Sequence, residues 1–223
     1  MDIKDAIISR HSVRQYNDKS ITGESLESLQ KEIENCNDKS GLNIKLVLND
    51  PEAFDCTTAR YGKFVGVNNY SVLKGKECEN FDILCGYYGE KIVLKAQMLG
   101  LNTCWVALTC NKKHLKNILE NEEKLCCVIT VGYGQNQGVA HKSKPQEKLY
   151  KAKGVLPKWF MEGINYAKLA PTALNQQKFI FELDDNNVVK IKSLFGPYTK
   201  IDLGIVKCHF EIGAGRENFV WAE

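Results

Sequence analysis

The feature that most constrains the fold is the order of predicted helices and strands, each recognised from the spacing of its apolar residues. This order repeats along the chain. The first copy comprises a helix at 24–36, strands at 43–49 and 67–74, a helix ending at Gly100 and a strand at 103–108. The second comprises a helix at 157–169, strands at 178–184 and 187–193, a helix over 201–212 and a strand at 218–221. Helix, strand, strand, helix, strand predicts an α+β fold, with a mixed sheet flanked by helices.

The repeat predicts one domain over residues 1–223, built from two pseudo-symmetric halves at 1–150 and 151–223. Side-chain identity between the copies is low, so coincidence of element order in an α+β protein remains the alternative. A length of 223 residues with 43% hydrophobic content is enough for one substantial core.

Charge and hydropathy exclude several classes of function. The formal net charge is only +3, and the lysines are scattered, so we expect no nucleic-acid partner. The N-terminus lacks the apolar core of a signal peptide, and no stretch approaches membrane-spanning length. We therefore expect a cytoplasmic protein without a membrane partner.

The nine cysteines show no zinc-ligand spacing, and none form C-x-x-C. Cys126 and Cys127 are adjacent inside the apolar strand 125–131, where free cysteine behaves as a small hydrophobe. We expect free thiols in a reducing compartment and no metal site.

Two short segments carry candidate ligand-binding groups. The first, Ser9 to Tyr16, follows an apolar helix and concentrates the forked donors of Arg10 and Arg14, which suit a phosphate. The second, Ala170 to Gln177, offers uncharged hydrogen-bond partners. Alone, the first is typical of a solvated surface and the second of a helix-ending turn.

A third segment, Leu99 to Leu108, reads as a helix end followed by a strand, and together the three segments resemble the nitroreductase family of flavin enzymes. The resemblance spans nearly the whole chain and implies the nitroreductase-like fold with FMN as cofactor. Most members are homodimers with the flavin at the interface, but one branch resembles a fused pair of subunits, and this sequence looks like that branch. Each motif occurs once, so a monomer would suffice for the site, with further dimerisation still open.

The resemblance implies which residues contact FMN. Arg10, His11, Ser12 and Arg14 would hold the phosphate, ribityl and pyrimidine groups of FMN. The flavin ring would lie along Trp105, Val106 and Ala107. Pro171, Thr172, Ala173 and Asn175 would approach the cofactor from its other side. Three departures from the family pattern stand out: Thr172 replaces a serine, Asn102 replaces a glycine, and Gln176-Gln177-Lys178 stands where relatives often have x-Q-P-W.

The polar, weakly periodic stretch from Gly134 to Gly154 is typical of a linker between the halves. Relatives place a basic pair on the phosphate at the corresponding position, which implies that role for Lys142 and Lys144. A basic loop in water is the alternative.

The resemblance implies an FMN-dependent oxidoreductase that takes a hydride from NADH or NADPH at flavin N5 and passes it to a nitroaromatic, quinone or similar small acceptor, with ping-pong kinetics. Arg14 would stabilise negative charge on the reduced ring, and no side chain need act as a catalytic acid or base. His114 and His209, on predicted helices, are expected to be structural. The alternative is an FMN-binding storage or sensor protein without significant turnover.

Overall fold

A computed structural model of the chain describes residues 1–151 and 154–222. Its α-helices are α1 Ile3–Ser9, α2 Gly23–Ser40, α3 Thr57–Tyr61, α4 Phe81–Met98, α5 Lys112–Lys116, α6 Lys158–Ala167 and α7 Thr199–Ala214. Its strands are β1 Lys45–Val47, β2 Tyr70–Lys76, β3 Asn102–Val106, β4 Glu123–Gly132, β5 Tyr150–Lys151, β6 Phe179–Leu183, β7 Val188–Ser193 and β8 Val220–Trp221. Short 3₁₀ turns occur at Gln146–Lys148, Ala173–Asn175 and Arg216–Asn218.

Apolar spacing and end signals explain the surface helices. In α2, the buried face is formed by Leu29, Ile33 and Cys36, which are spaced at three and four residues. Gly41 ends the helix with a φ of 71°, a left-handed conformation that glycine adopts without strain. At the N-terminus of α1, the Asp2 side chain accepts a hydrogen bond from the Asp5 amide at 2.8 Å.

Helices α4 and α7 pack together at the centre of the molecule. Both are buried on more than one side, so neither shows a single apolar stripe. Gly86 and Gly204 face each other's helix, and a Cβ atom on either would overlap backbone atoms of the opposite helix. The two glycines thus permit the close approach that fixes the central helix pair.

The strands form two four-stranded sheets within the described residues, in the orders β1-β2-β4-β3 and β5-β6-β7-β8. Every neighbouring pair of the first sheet is antiparallel. In the second sheet, β5 with β6 and β7 with β8 are parallel, while β6 with β7 is antiparallel. The predicted α+β class, with sheets flanked by helices, is confirmed.

The predicted element order recurs, as α2-β1-β2-α4-β3 and α6-β6-β7-α7-β8, with α3 as an addition in the first series. The strand pairings differ, however. Strand β3 pairs with β4, whereas β8 pairs directly with β7. Pseudo-symmetry of the two halves therefore stays a prediction.

The expected linker, which begins at Gly134, makes defined contacts with the rest of the fold as far as residue 151. The Gln135 amide donates to the Gln15 carbonyl at 2.9 Å, and β5 adds a strand to the second sheet. Its polar side chains satisfy backbone groups, which is why a sequence with little apolar periodicity still packs. Ala152 and Lys153, also within the expected linker, lie outside the described residues.

All nine cysteines are free, as expected. No cluster of metal-ligating side chains occurs among the residues that the structure describes. Across residues 1–151 and 154–222, none of the helices has the length and apolar character needed to cross a membrane.

Candidate functional site

The first predicted segment runs alongside β3. After α1 ends at Ser9, the chain is extended, and the Val13 amide donates to the Thr103 carbonyl at 3.0 Å. Ser12 forms a parallel bridge with Thr103. The Tyr16 hydroxyl donates to the Val13 carbonyl at 2.8 Å. The fold therefore brings the first and third predicted segments together, with a backbone fixed by hydrogen bonds.

Arg10 is buried, with only 4% of its surface exposed. Its Nε lies 3.8 Å from Oε1 of Glu90, and this Nε has no hydrogen-bond partner. Burial lowers the pKa of Arg10, while the Glu90 charge opposes this shift. A buried guanidinium with an unsatisfied donor is unfavourable unless another acceptor completes it. Arg10 thus offers a donor for an anionic ligand.

Glu90 was missed by the sequence analysis. It is fully buried on α4, and its carboxylate accepts a hydrogen bond from the Trp105 indole at 2.9 Å. His209 Nε2 lies 2.8 Å from Oε1 of Glu90, and His209 Nδ1 lies 3.2 Å from the Tyr166 carbonyl. Both contacts of His209 are therefore to oxygen atoms of other helices, Glu90 on α4 and Tyr166 on α6.

Arg10 and His209 thus both contact the single carboxylate of Glu90. His209 is fully buried, and its structural role stays a prediction. The sequence signal for Glu90 was its place in α4, a helix with apolar residues on every side. A carboxylate buried in such a helix requires charged or polar partners.

The other residues of the first segment are more accessible. Arg14 is exposed, and its guanidinium lies 5.9 Å from the centre of the Phe64 ring. His11 is half-buried, and burial together with the Arg10 charge lowers the pKa of His11. Ser12 is also half-buried. Arg14 and His11 therefore remain available to a ligand at the surface.

Trp105, Val106 and Ala107 lie at the end of β3 and just beyond it. Trp105 is directed towards α4 by its bond to Glu90 and packs against Gly89, where a Cβ atom would come within 2.5 Å of its ring. Val106 is buried and Ala107 half-buried.

The second predicted segment forms a tight turn at the end of α6. The Thr172 hydroxyl accepts from the Gln177 amide at 3.0 Å, so the hydroxyl retained at this position closes the turn. Leu174 and Asn175 have φ values of 53° and 51° and are exposed, while Pro171 and Ala173 are half-buried. The turn thus presents Asn175 at the surface.

Asp202 of α7 anchors this turn. Its carboxylate accepts from the Ala173 amide at 2.9 Å and from Nε2 of Gln176 at 2.7 Å. Burial raises the pKa of Asp202 to about 6, although both hydrogen bonds act in the opposite direction. Sequence reasoning missed Asp202 because its partners lie on a different element.

The loop at 138–144 contacts both segments. A Cβ atom on Gly138 would lie 2.8 Å from Cβ of His11, so the loop packs directly on the first segment. On the other side, the Lys142 carbonyl accepts from Nδ2 of Asn175 at 2.9 Å. His141 Nε2 lies 3.2 Å from the Leu169 carbonyl, while its buried Nδ1 has no partner.

The two predicted phosphate lysines differ in their surroundings. The Lys142 side chain is exposed. Lys144 Nζ donates to the carbonyls of Gln176 at 2.9 Å and Gln177 at 2.8 Å, and so closes the turn from outside. Contact of either lysine with a phosphate stays a prediction.

Comparison with known proteins gives one family and a set of similar folds. The family model described as "Putative TM nitroreductase" matches residues 2–214. No curated protein matches the sequence. A nitroreductase structure from Thermotoga maritima MSB8 is 23% identical, covers 97% of this chain and 85% of its own, and has a TM-score of 0.69.

Two further structures show the same fold over part of the chain. A nitroreductase in complex with FMN from Desulfovibrio desulfuricans is 18% identical, with 67% of this chain and 95% of its own covered and a TM-score of 0.55. An FMN-dependent nitroreductase from Clostridium difficile R20291 is 15% identical, with 62% and 91% covered and a TM-score of 0.51. Since the family model covers nearly the whole chain, the protein belongs to the TM nitroreductase family.

Proposed function

We propose that the protein is an FMN-dependent oxidoreductase that uses NADH or NADPH to reduce a nitroaromatic, quinone or similar small acceptor. Family membership supports the reaction class, and two proteins of similar fold are described as FMN-dependent or as FMN complexes. When bound, FMN supplies the two-electron chemistry at its N5 atom, with donor and acceptor using the same face in turn.

The buried guanidinium of Arg10 carries the proposal, because it fits the FMN phosphate. Its buried Nε lacks a hydrogen-bond partner. Orphaned buried donors are rare in folded proteins and require an additional acceptor. A phosphate accepts several hydrogen bonds and supplies the negative charge that suits a guanidinium.

The chain's own residues would divide the work of holding FMN. Arg10, His11 and Ser12 would bind the phosphate and ribityl chain, and Arg14 would donate to the pyrimidine edge and stabilise negative charge there. Trp105, Val106 and Ala107 would support the ring, while the turn with Pro171, Thr172, Ala173 and Asn175 would limit access from the other side. Lys142 would add positive charge near the phosphate, and Lys144 would fix the turn.

The absorption spectrum of the purified protein tests this proposal most directly. We expect a flavin spectrum with one FMN per chain, released by denaturation because it is held non-covalently. Anaerobic addition of NADH and then NADPH should bleach the spectrum rapidly, and reoxidation by a quinone should restore it. A yellow protein that neither nucleotide bleaches would indicate storage or sensing instead, and a preference for FAD over FMN would refute the cofactor assignment.

A further inference from the structure

A cavity of about 340 Å³ lies between strand β4 and the connection that precedes it. Strand β3 pairs with β4 only as far as Val106, opposite Val128, so β3 does not cover residues 123–127 of β4. The connection over 107–122, which contains α5, supplies the other side of the cavity. The volume is near the lower end of the roughly 300–1,000 Å³ that is typical of small-molecule sites.

Contacts with the loop after β1 hold α5 in place beside the cavity. His114 Nε2 lies 2.8 Å from Oδ2 of Asp50, and His114 Nδ1 lies 3.2 Å from Oε2 of Glu52. The Asn111 amide donates to the Ala53 carbonyl at 2.8 Å. Because these contacts fix α5, the wall of the cavity is formed before a ligand binds, which lowers the cost of binding.

The walls of the cavity are mostly apolar. Apart from two lysines and one glutamate, the lining consists of aliphatic side chains and cysteines. The register of β4 skips Cys126, and this bulge places Leu125 and Val128 on the same face of the strand. From the connection, Leu115 and Leu119 face them. An apolar group bound among these side chains would be removed from water, which favours its binding.

Two lysines give the mouth of the cavity a positive charge. Lys112 and Lys116 are exposed, line the cavity and lie about one turn apart on α5, so they share one face of this helix. Within residues 1–151 and 154–222, neither lysine forms an ion pair. Both ammonium groups are therefore available to an anionic ligand.

The carboxylate in the lining, that of Glu123, is already engaged by the protein. Oε2 of Glu123 accepts from Lys74 Nζ at 2.6 Å and from the Glu120 amide at 2.8 Å. Its Oε1 accepts from Nδ2 of Asn43 at 2.7 Å, and the side chain is only 6% exposed. Glu123 thus does not neutralise the two lysines, and the mouth of the cavity keeps its positive charge.

We propose that this cavity binds a small carboxylate with an apolar body. The carboxylate contacts Lys112 and Lys116, and the body packs against the apolar walls. Exposed lysines alone hold an anion weakly, and apolar walls alone do not distinguish an acid from an alcohol, so the combination selects this class of ligand. Val106 and Ala107 also line the cavity, which therefore borders the proposed flavin site without using Arg10.

Calorimetric titration of octanoate into the purified protein at low salt tests the proposal. We expect one octanoate per chain, with an affinity that falls as salt is added, because added ions screen exposed lysines. The double variant Lys112→Gln/Lys116→Gln should bind octanoate about tenfold more weakly. Lys113→Gln is the matched control and should bind like the wild type, since Lys113 is exposed on the same helix but does not line the cavity.

Other probes separate the contributions of the head group and the body. Octanol keeps the body without the charge, and acetate keeps the charge without the body; each should bind at least about tenfold more weakly than octanoate. Benzoate, with a flat body, tests whether the shape of the body matters. Leu119→Trp should weaken octanoate binding by filling the cavity, and the lysine variants keep the test independent of how well this larger side chain packs.

Arg10→Ala distinguishes the cavity from the proposed flavin site. This variant should bind octanoate like the wild type, and excess FMN should not displace octanoate. A protein that binds octanoate but not FMN would refute the proposed function alone. The inference is overturned if neither octanoate nor benzoate binds saturably, if octanol binds as tightly as octanoate, if the double lysine variant keeps the wild-type affinity, or if Arg10→Ala abolishes binding.

Discussion

Arg10 shows what a motif can and cannot reveal about a single residue. The sequence identified it as an anion-binding candidate from its spacing to Arg14 and its place after an apolar helix. Its burial and its 3.8 Å approach to Glu90 depend on α4, whose position no local pattern encodes. Ligand candidates could thus be named from the sequence, whereas the carboxylate that holds Arg10 could not.

At this scale, we expect Arg10→Ala to weaken FMN binding roughly tenfold to hundredfold, or about 1.5 to 3 kcal/mol, because a charge-assisted contact to the phosphate is lost. Arg10→Lys should recover only part of the affinity, since an ammonium cannot form a forked contact. Titration of FMN into the apoprotein at two salt concentrations measures both effects. Unchanged affinity and salt dependence in Arg10→Ala would exclude a role in phosphate binding.

Glu90→Gln should lower the free energy of unfolding by about 3 kcal/mol, because it leaves the buried guanidinium of Arg10 without its carboxylate. If FMN binds beside Arg10, its phosphate replaces part of the lost negative charge, and the melting temperature of the variant should rise more on FMN addition than that of the wild type. Thermal denaturation with and without FMN measures both. Glu34→Gln, at an exposed position of α2, is the control and should match the wild type.

Among elements, apolar spacing was most informative where one face is buried, as in α2 and α6. It was least informative for contacts made between distant parts of the chain. The skipped residue in β4, the parallel strand β5 and the bridge between Ser12 and Thr103 all depend on long-range pairing, which local patterns do not specify.

The turn anchored by Asp202 yields a prediction about pH. Burial raises the pKa of Asp202 in the folded protein to about 6, from 3.8 for the ordinary group, so the folded state binds its proton more tightly than the unfolded state. The contribution of Asp202 to stability is therefore greatest at low pH and falls as pH rises between about 4 and 6, by about 3 kcal/mol at most.

Urea unfolding of wild type and Asp202→Asn at pH 4 and pH 7 measures this contribution. We expect the stability of the wild type relative to the variant to fall between the two pH values, because asparagine does not titrate. An equal difference at both pH values would show that Asp202 has an ordinary pKa. Asp185→Asn, on an exposed turn, serves as the control and should follow the wild type.

At the scale of the whole molecule, the central question is whether one chain completes one site. The loop at 138–144 packs on His11, and its Lys142 carbonyl accepts from Asn175, so a single chain links both predicted segments. In a family dimer, the segment equivalent to 170–177 serves the flavin of the other subunit. The intrachain links therefore support the proposal that a monomer suffices.

Complementation between two defective variants decides this question. Arg14→Ala and Asn175→Ala should each impair FMN-dependent activity, and we expect no recovery when the two are co-expressed, because every intrachain site keeps one defect. Sites built between chains would behave differently, since some mixed dimers would combine an intact Arg14 with an intact Asn175 and regain activity. Activity per FMN in the co-expressed sample, compared with each variant alone, is the measurement. A dimer formed through another surface would also show no recovery, so the oligomeric state of the protein does not affect the outcome. Clear recovery of activity would establish a site shared between chains.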